Sequence, residues 1–163
     1  VFSSTFSALI LATISAIVSS NDASYKAIID SESLVAMEGM TMSLELSDQD
    51  DSITISLTGP SSVYYSIAVG SCIMSGTWSL VIPGLTASAG STPFEQLLGS
   101  HAGGSSLDDS FEVVDDTVDG LLRTVTFTRS LSADLTDDYY AFTTDDEEIV
   151  VQWAYGSSAD FSN

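Results

Sequence analysis

The sequence contains very little of several residue types that many functions require. Cys72 is the single cysteine, so no disulfide can form within the chain, and a metal site built from several thiolates is excluded. Lys and Arg total 3 against 23 Asp and Glu, which gives a formal net charge of -20. A surface with that charge repels the phosphates of nucleic acids and anionic lipid headgroups. We therefore expect no nucleic-acid partner.

Histidine is equally scarce, because His101 is the only one in the chain. A hydrolase triad has little basis without a second histidine and without a Gly-x-Ser-x-Gly motif. Adjacent carboxylates are frequent, as at Asp115 and Asp116, but none has the spacing of an EF-hand. Neighbouring acids in a loop point apart, so a glycosidase pair would require convergence in space. We predict that the chain is not an enzyme.

An uncharged apolar run from Phe6 to Val18 lies near the N-terminus. It resembles the h-region of a signal peptide, and small residues follow it. It is shorter than the roughly 20 apolar residues of a membrane-spanning helix. We predict that residues 1–23 are a signal peptide, cleaved between Ser20 and Ser24, or a hydrophobic N-terminal segment that touches a membrane only if it is retained. A buried strand or helix is the alternative. The protein is then expected to be secreted or located at the cell surface.

The remaining residues, 24–163, show the period of two that is typical of half-buried strands. Apolar residues alternate with Ser, Thr and Glu over 40–46 and again over 52–58, and an acidic turn at 48–51 joins the two as a hairpin. Five more strands are predicted at 63–69, 77–82, 111–114, 122–129 and 148–155. The span 84–106, rich in Gly, Ser and Ala, is interpreted as a long connection with one helical turn near 94–98. The pattern predicts a single all-β domain that is an antiparallel sandwich or barrel, and we expect an immunoglobulin-like β-sandwich.

Three stretches in this order carry a family resemblance. They are YYSIAVGSCIMSGTWSLVI from Tyr64 to Ile82, TVTFTRSL from Thr124 to Leu131, and IVVQWAYG from Ile149 to Gly156. Together they resemble the DOMON family, the sandwich domain named after dopamine β-monooxygenase and related to the cytochrome domain of cellobiose dehydrogenase. The stretch LLGSHAGGSSL, from Leu97 to Leu107, is similar to DOMON-like proteins of algae.

The resemblance implies a pocket at one end of the sandwich that holds haem b or a sugar, with Met and His as axial ligands in the haem members. Met74 stands at the position of the family's methionine ligand; a flexible core residue is the alternative. The family's histidine follows the Trp-Ala-x-Gly strand, where this sequence has none. His101 lies upstream on the glycine-rich loop and would ligate only if that loop folded over the Met74 end; a solvated histidine is the alternative. Met74 and His101 are thus the candidate cofactor-binding residues, and no metal site is predicted beyond the haem.

Two functions follow from this sequence. The first is a secreted DOMON-like module that binds haem b for electron transfer, as part of a larger redox protein, or a carbohydrate. The second is a non-catalytic extracellular domain that has lost the cofactor and serves for interaction with another protein or as a structural domain. The expected partner is accordingly a small molecule, haem or sugar, or an extracellular protein.

Overall fold

The computed structural model describes residues 10–19, 22–28, 39–71, 73, 75–99, 104–145 and 148–161. These residues form eleven strands and no helix, so they contain no helix that is long and apolar enough to cross a membrane. The strands are β1 (Ile10–Ser19), β2 (Asp22–Ile28), β3 (Thr41–Ser47), β4 (Ser52–Pro60), β5 (Tyr65–Val69), β6 (Trp78–Ile82), β7 (Phe94–Leu97), β8 (Ser105–Ser106), β9 (Glu112–Asp119), β10 (Leu122–Arg129) and β11 (Glu148–Tyr155).

All strand pairs are antiparallel, and the strand order is β8-β7-β6-β5-β11-β1-β2-β3-β4-β10-β9. Strand β1 connects two sheets, since Ile10–Ser15 pair with β11 and Ala16–Ser19 pair with β2. The sheet that runs from β8 to β11 packs on the sheet that runs from β2 to β9, and one cluster of buried side chains contains residues of both. The prediction of an all-β antiparallel sandwich is confirmed.

The hairpin of β3 and β4 forms because its apolar residues alternate with hydroxyl residues. In β4 every second residue, beginning with Ile53, is buried. On the opposite face the hydroxyls of Ser56 and Thr126 lie 2.9 Å apart and those of Thr58 and Thr124 lie 2.8 Å apart. Such cross-strand pairs fix the register of the strands, because a shift by one residue would turn the apolar side chains to the solvent.

Tyr65, the first residue of β5, joins the two sheets. Its hydroxyl donates to the carbonyl oxygen of Arg123 on β10 at 2.7 Å, while its ring occupies the space beside Gly59 on β4. A Cβ at Gly59 would lie 2.6 Å from that ring. The absent side chain therefore allows the close approach of the aromatic ring, and burial raises the pKa of the tyrosine.

The structure differs from the sequence-based expectation at one connection. The span near Phe94–Leu97 is strand β7 and not a helical turn; its polar residues Glu95 and Gln96 are buried in the sheet, which their polarity did not indicate. Strand β1 begins at Ile10, within the apolar run that was predicted as a signal h-region, and the signal-peptide interpretation stays a prediction. Cleavage between residues 20 and 24 stays a prediction.

Candidate functional site

A cleft of about 180 Å³ lies at the end of the sandwich where β5 ends and β6 begins. One wall is the β5–β6 connection, and the other is the segment 137–140 between β10 and β11. The floor includes Trp78, the first residue of β6. The lining residues are Val69, Gly70, Ser71, Gly76, Thr77, Trp78, Asp137, Asp138, Tyr139 and Tyr140.

Two glycines shape the first wall. Gly70 has φ 96° and Gly76 has φ 75°, both in the region that favours glycine. A Cβ at Gly70 would overlap the ring of Tyr140, so the glycine lets the two walls approach. Thr77 closes the turn, since its hydroxyl donates to the carbonyl of Ile73 at 2.5 Å. The wall is therefore held by the backbone of the loop itself.

Arg129 fixes the second wall from below. Its Nη2 donates to the carbonyl of Tyr140 at 2.6 Å, and its Nη1 donates to the hydroxyl of Ser110 at 2.9 Å. The guanidinium lies 4.6 Å from the ring centre of Phe111 and 5.5 Å from that of Phe142. Burial lowers the pKa of Arg129, and the aromatic faces compensate part of the lost hydration.

Glu95 connects Trp78, on the floor of the cleft, to Ser110, which also contacts Arg129. Its carboxylate accepts from the indole Nε1 of Trp78 at 2.7 Å and from the hydroxyl of Ser110 at 2.8 Å. The backbone N–H groups of Ser110 and Phe111 also donate to it. A buried carboxylate with this many donors is satisfied, and it holds Trp78 in one orientation beneath the cleft.

The chemistry of the cleft is polar, aromatic and negative. Its lining includes two acids, Asp137 and Asp138, and three aromatic residues, Trp78, Tyr139 and Tyr140. The Tyr139 hydroxyl donates to the carbonyl of Asp108 at 2.8 Å, and loss of hydration raises its pKa. Acceptors beside aromatic rings suit a neutral ligand that carries many hydroxyls. An anionic ligand would meet two carboxylates.

Met74 and His101, the two residues predicted from the sequence, lie outside the described residues. Of the described residues, Ser71 and Gly76 line the cleft. The carbonyl of Leu98 accepts from the N–H of Gly76 at 2.7 Å, and the N–H of Leu98 donates to the carbonyl of Thr77 at 2.9 Å. The role of Met74 and His101 as cofactor ligands stays a prediction.

The chain leaves β11 at the opposite end of the sheet. Tyr155 pairs with Tyr65 and Val151 with Val69, so the strand runs away from the cleft. Beyond it, the ring of Phe161 lies 5.0 Å from that of Tyr64 and 5.9 Å from that of Phe94.

Haem b fits the described lining poorly. Sites for ligands of that size enclose roughly 300–1,000 Å³, whereas this cleft encloses about 180 Å³. Asp137 and Asp138 also line the cleft, and their negative charge is unfavourable for a ligand that carries carboxylates. Among the described residues there is no group of three or more His, Cys, Asp or Glu side chains that could hold a metal ion. No family model, curated protein or solved structure matches the chain.

The sequence reasoning missed the wall formed by 137–140. The adjacent pairs Asp137-Asp138 and Tyr139-Tyr140 could have indicated this wall, since carboxylates and aromatic rings together suit the binding of a sugar. Nothing in the sequence places them against Gly70, because that contact depends on Arg129 holding the Tyr140 carbonyl.

Proposed function

We propose that the chain is a secreted, non-catalytic module of DOMON-like type that binds a neutral carbohydrate in this cleft. The observation that carries the proposal is the lining, since two tyrosines, a tryptophan and two aspartates border one cleft at the end of the sandwich. Sugars are bound by this combination because their C–H faces stack on aromatic rings while their hydroxyls donate to carboxylates.

The size and charge of the cleft narrow the ligand class. A volume of about 180 Å³ accepts one sugar ring of a longer chain and leaves the rest in solvent. The net charge of -20 and the two aspartates disfavour uronates and sulfated sugars. The preferred ligand is therefore the terminus or a branch of a neutral glycan.

Haem b is the second candidate, and it rests on Met74. The connection that carries this residue borders the cleft, and a methionine ligand would favour a raised redox potential in an electron-transfer haem. The protein's own contribution would be to position that thioether and to limit access of water. The small volume ranks this candidate below a sugar.

The test is a titration of the purified chain with neutral glucan oligosaccharides and with oligogalacturonate, monitored by NMR amide shifts. We expect the neutral series to shift amides of 69–71 and 137–140 and the anionic series to have no effect. Tyr139→Ala should weaken binding at least tenfold. Asp134→Asn is the matched control, because Asp134 is an exposed acid of the same connection that does not line the cleft.

Haem is tested in parallel by reconstitution. A Soret band that weakens in Met74→Ala would support the second candidate and overturn the first. Absence of both glycan binding and a Soret band would refute both, and would favour the remaining alternative, an extracellular domain that binds another protein.

A further inference from the structure

Strand β9 forms a free edge of the sandwich. Within the described residues it pairs only with β10, and all eight of its residues are exposed. Its outward N–H and C=O groups are thus available to a further strand. A bulge interrupts its pairing with β10 between Thr126 and Phe127.

The two faces of this edge differ in chemistry. Residues directly opposite each other in an antiparallel pair point to the same face. Val118, Asp116 and Val113 are opposite Arg123, Val125 and Phe127, and since these three β10 residues are buried, the two valines and Asp116 lie on the inner face, where Asp116 is paired with Arg123. The residues opposite the half-buried β10 positions lie on the outer face; they are Glu112, Asp115, Thr117 and Asp119.

A slot opens beside the inner face. It measures about 150 Å³ and lies between the two sheets; Leu80, Phe111, Val113 and Phe127 are among its apolar lining residues, and Thr92, Glu95 and Asp109 are its polar ones. Val113 is 41% exposed. Because an apolar cavity of about that volume holds a benzene-sized group, the apolar part of the slot has room for one large apolar side chain of a strand that pairs with β9.

We propose that β9 is a docking site for an extended, basic segment of another protein, which adds a strand to the sheet. Main-chain hydrogen bonds would supply affinity and the slot would supply specificity, as in other cases of strand addition. Side chains of the added strand alternate, so apolar residues face Val113 and Val118 while Lys or Arg residues face the outer acids.

Charge decides between this partner and a second copy of the chain. Two β9 strands in antiparallel contact would bring their acidic outer rows together, and opposed like charges destabilise a strand pair. The chain carries only 3 Lys and Arg, so it offers no basic strand of its own. A basic partner removes the repulsion and gains attraction along the same row.

The test uses the peptide Lys-Leu-Lys-Val-Lys-Leu-Lys, labelled with a fluorophore, and anisotropy at low ionic strength. A peptide of equal composition with its lysines in one block is the control for charge alone. We expect the alternating peptide to bind at least tenfold more tightly and to shift the amides of 112–119. Equal binding of both peptides, or amide shifts elsewhere, would overturn the proposal.

Variants of the protein separate the two faces. Reversing the outer row with Asp115→Lys and Asp119→Lys should weaken binding at least tenfold. The matched double variant Asp134→Lys with Asp145→Lys, which changes net charge equally on exposed acids elsewhere, should weaken it less than threefold. Equal weakening by both would refute the docking site.

The slot is tested by filling it. In Val113→Phe the added ring would occupy the slot. A peptide whose leucines are exchanged for alanine should bind the wild-type chain more weakly than the original peptide does. The Val113→Phe variant should bind both peptides with the same affinity. Circular dichroism verifies that each variant is folded. Dimerisation of the wild-type chain through β9 without peptide, detected by sedimentation, would overturn the choice of a basic partner.

Discussion

Arg123 is the cation whose loss we expect to destabilise the sandwich most. It is 1% exposed. Its Nη1 donates to the carbonyl of Pro83 at 2.8 Å, and its Nη2 donates to that of Ser91 at 3.0 Å. Nε and Nη2 also contact the two carboxylate oxygens of Asp116 at 2.8 and 2.6 Å. One guanidinium thus joins β10, β9 and the connection between β6 and β7.

The substitution Arg123→Met keeps much of the aliphatic volume and removes every donor. Each hydrogen bond that involves a charged group contributes about 1.5–3 kcal/mol, and two buried carbonyls lose such a donor. Because the Asp116 side chain is 38% exposed, its ion pair adds no more than about 1 kcal/mol. We expect the free energy of unfolding to fall by about 4 kcal/mol, a large part of the roughly 5–15 kcal/mol of a typical domain.

The assay is urea unfolding at pH 7, monitored by tryptophan fluorescence. Asp116→Asn is the control, because it weakens the ion pair and leaves both carbonyl contacts of Arg123 in place; its cost should stay near 1 kcal/mol. Equal costs for the two variants would refute the reasoning, since the ion pair would then outweigh the backbone contacts. A loss below about 1 kcal/mol in Arg123→Met would refute it as well.

Three further predictions use the same unfolding measurement. Hydrogen bonds from Arg123 hold the pKa of Asp116 below its usual value of 3.8. The ion pair therefore stabilises the fold fully above that pH, and this stabilisation is lost as the pH falls through the lower pKa of the folded state. In Asp116→Asn the free energy of unfolding should accordingly depend less on pH below about pH 4. Gly70→Ala should cost at least about 2 kcal/mol, because of its positive φ and the Tyr140 ring, and should weaken glycan binding. Trp78→Phe should lower the free energy of unfolding by about 2 kcal/mol, because it removes the indole donor to buried Glu95. Tyr139→Phe is the comparison, because it removes a hydroxyl hydrogen bond that is exposed. A smaller loss of stability in Trp78→Phe than in Tyr139→Phe would contradict the role assigned to Trp78.

Alternation predicted the strands whose two faces differ. Strands β3, β4 and β10 follow from the sequence because each has one buried and one half-exposed face. Strand β9 was predicted only as far as Val114, since acids are rare in strands. The structure extends it to Asp119, which is possible because an edge strand with both faces exposed tolerates Asp115 and Asp116.

Strand β7 and the cleft were hidden for a different reason. Glu95 reads as a loop residue in a Gly- and Ser-rich span, yet it is 2% exposed and receives donors from Trp78 and Ser110, which are distant in sequence. The wall at Tyr140 likewise depends on Arg129, which precedes it by 11 residues. The local sequence pattern gives the polarity of a side chain, but it does not show which distant residue forms a hydrogen bond with that side chain. For this reason the sequence indicated a ligand-binding end only through Met74 and a family resemblance, whereas the grouping of Asp137 and Asp138 with Tyr139 and Tyr140 around one cleft follows from the packing of the chain.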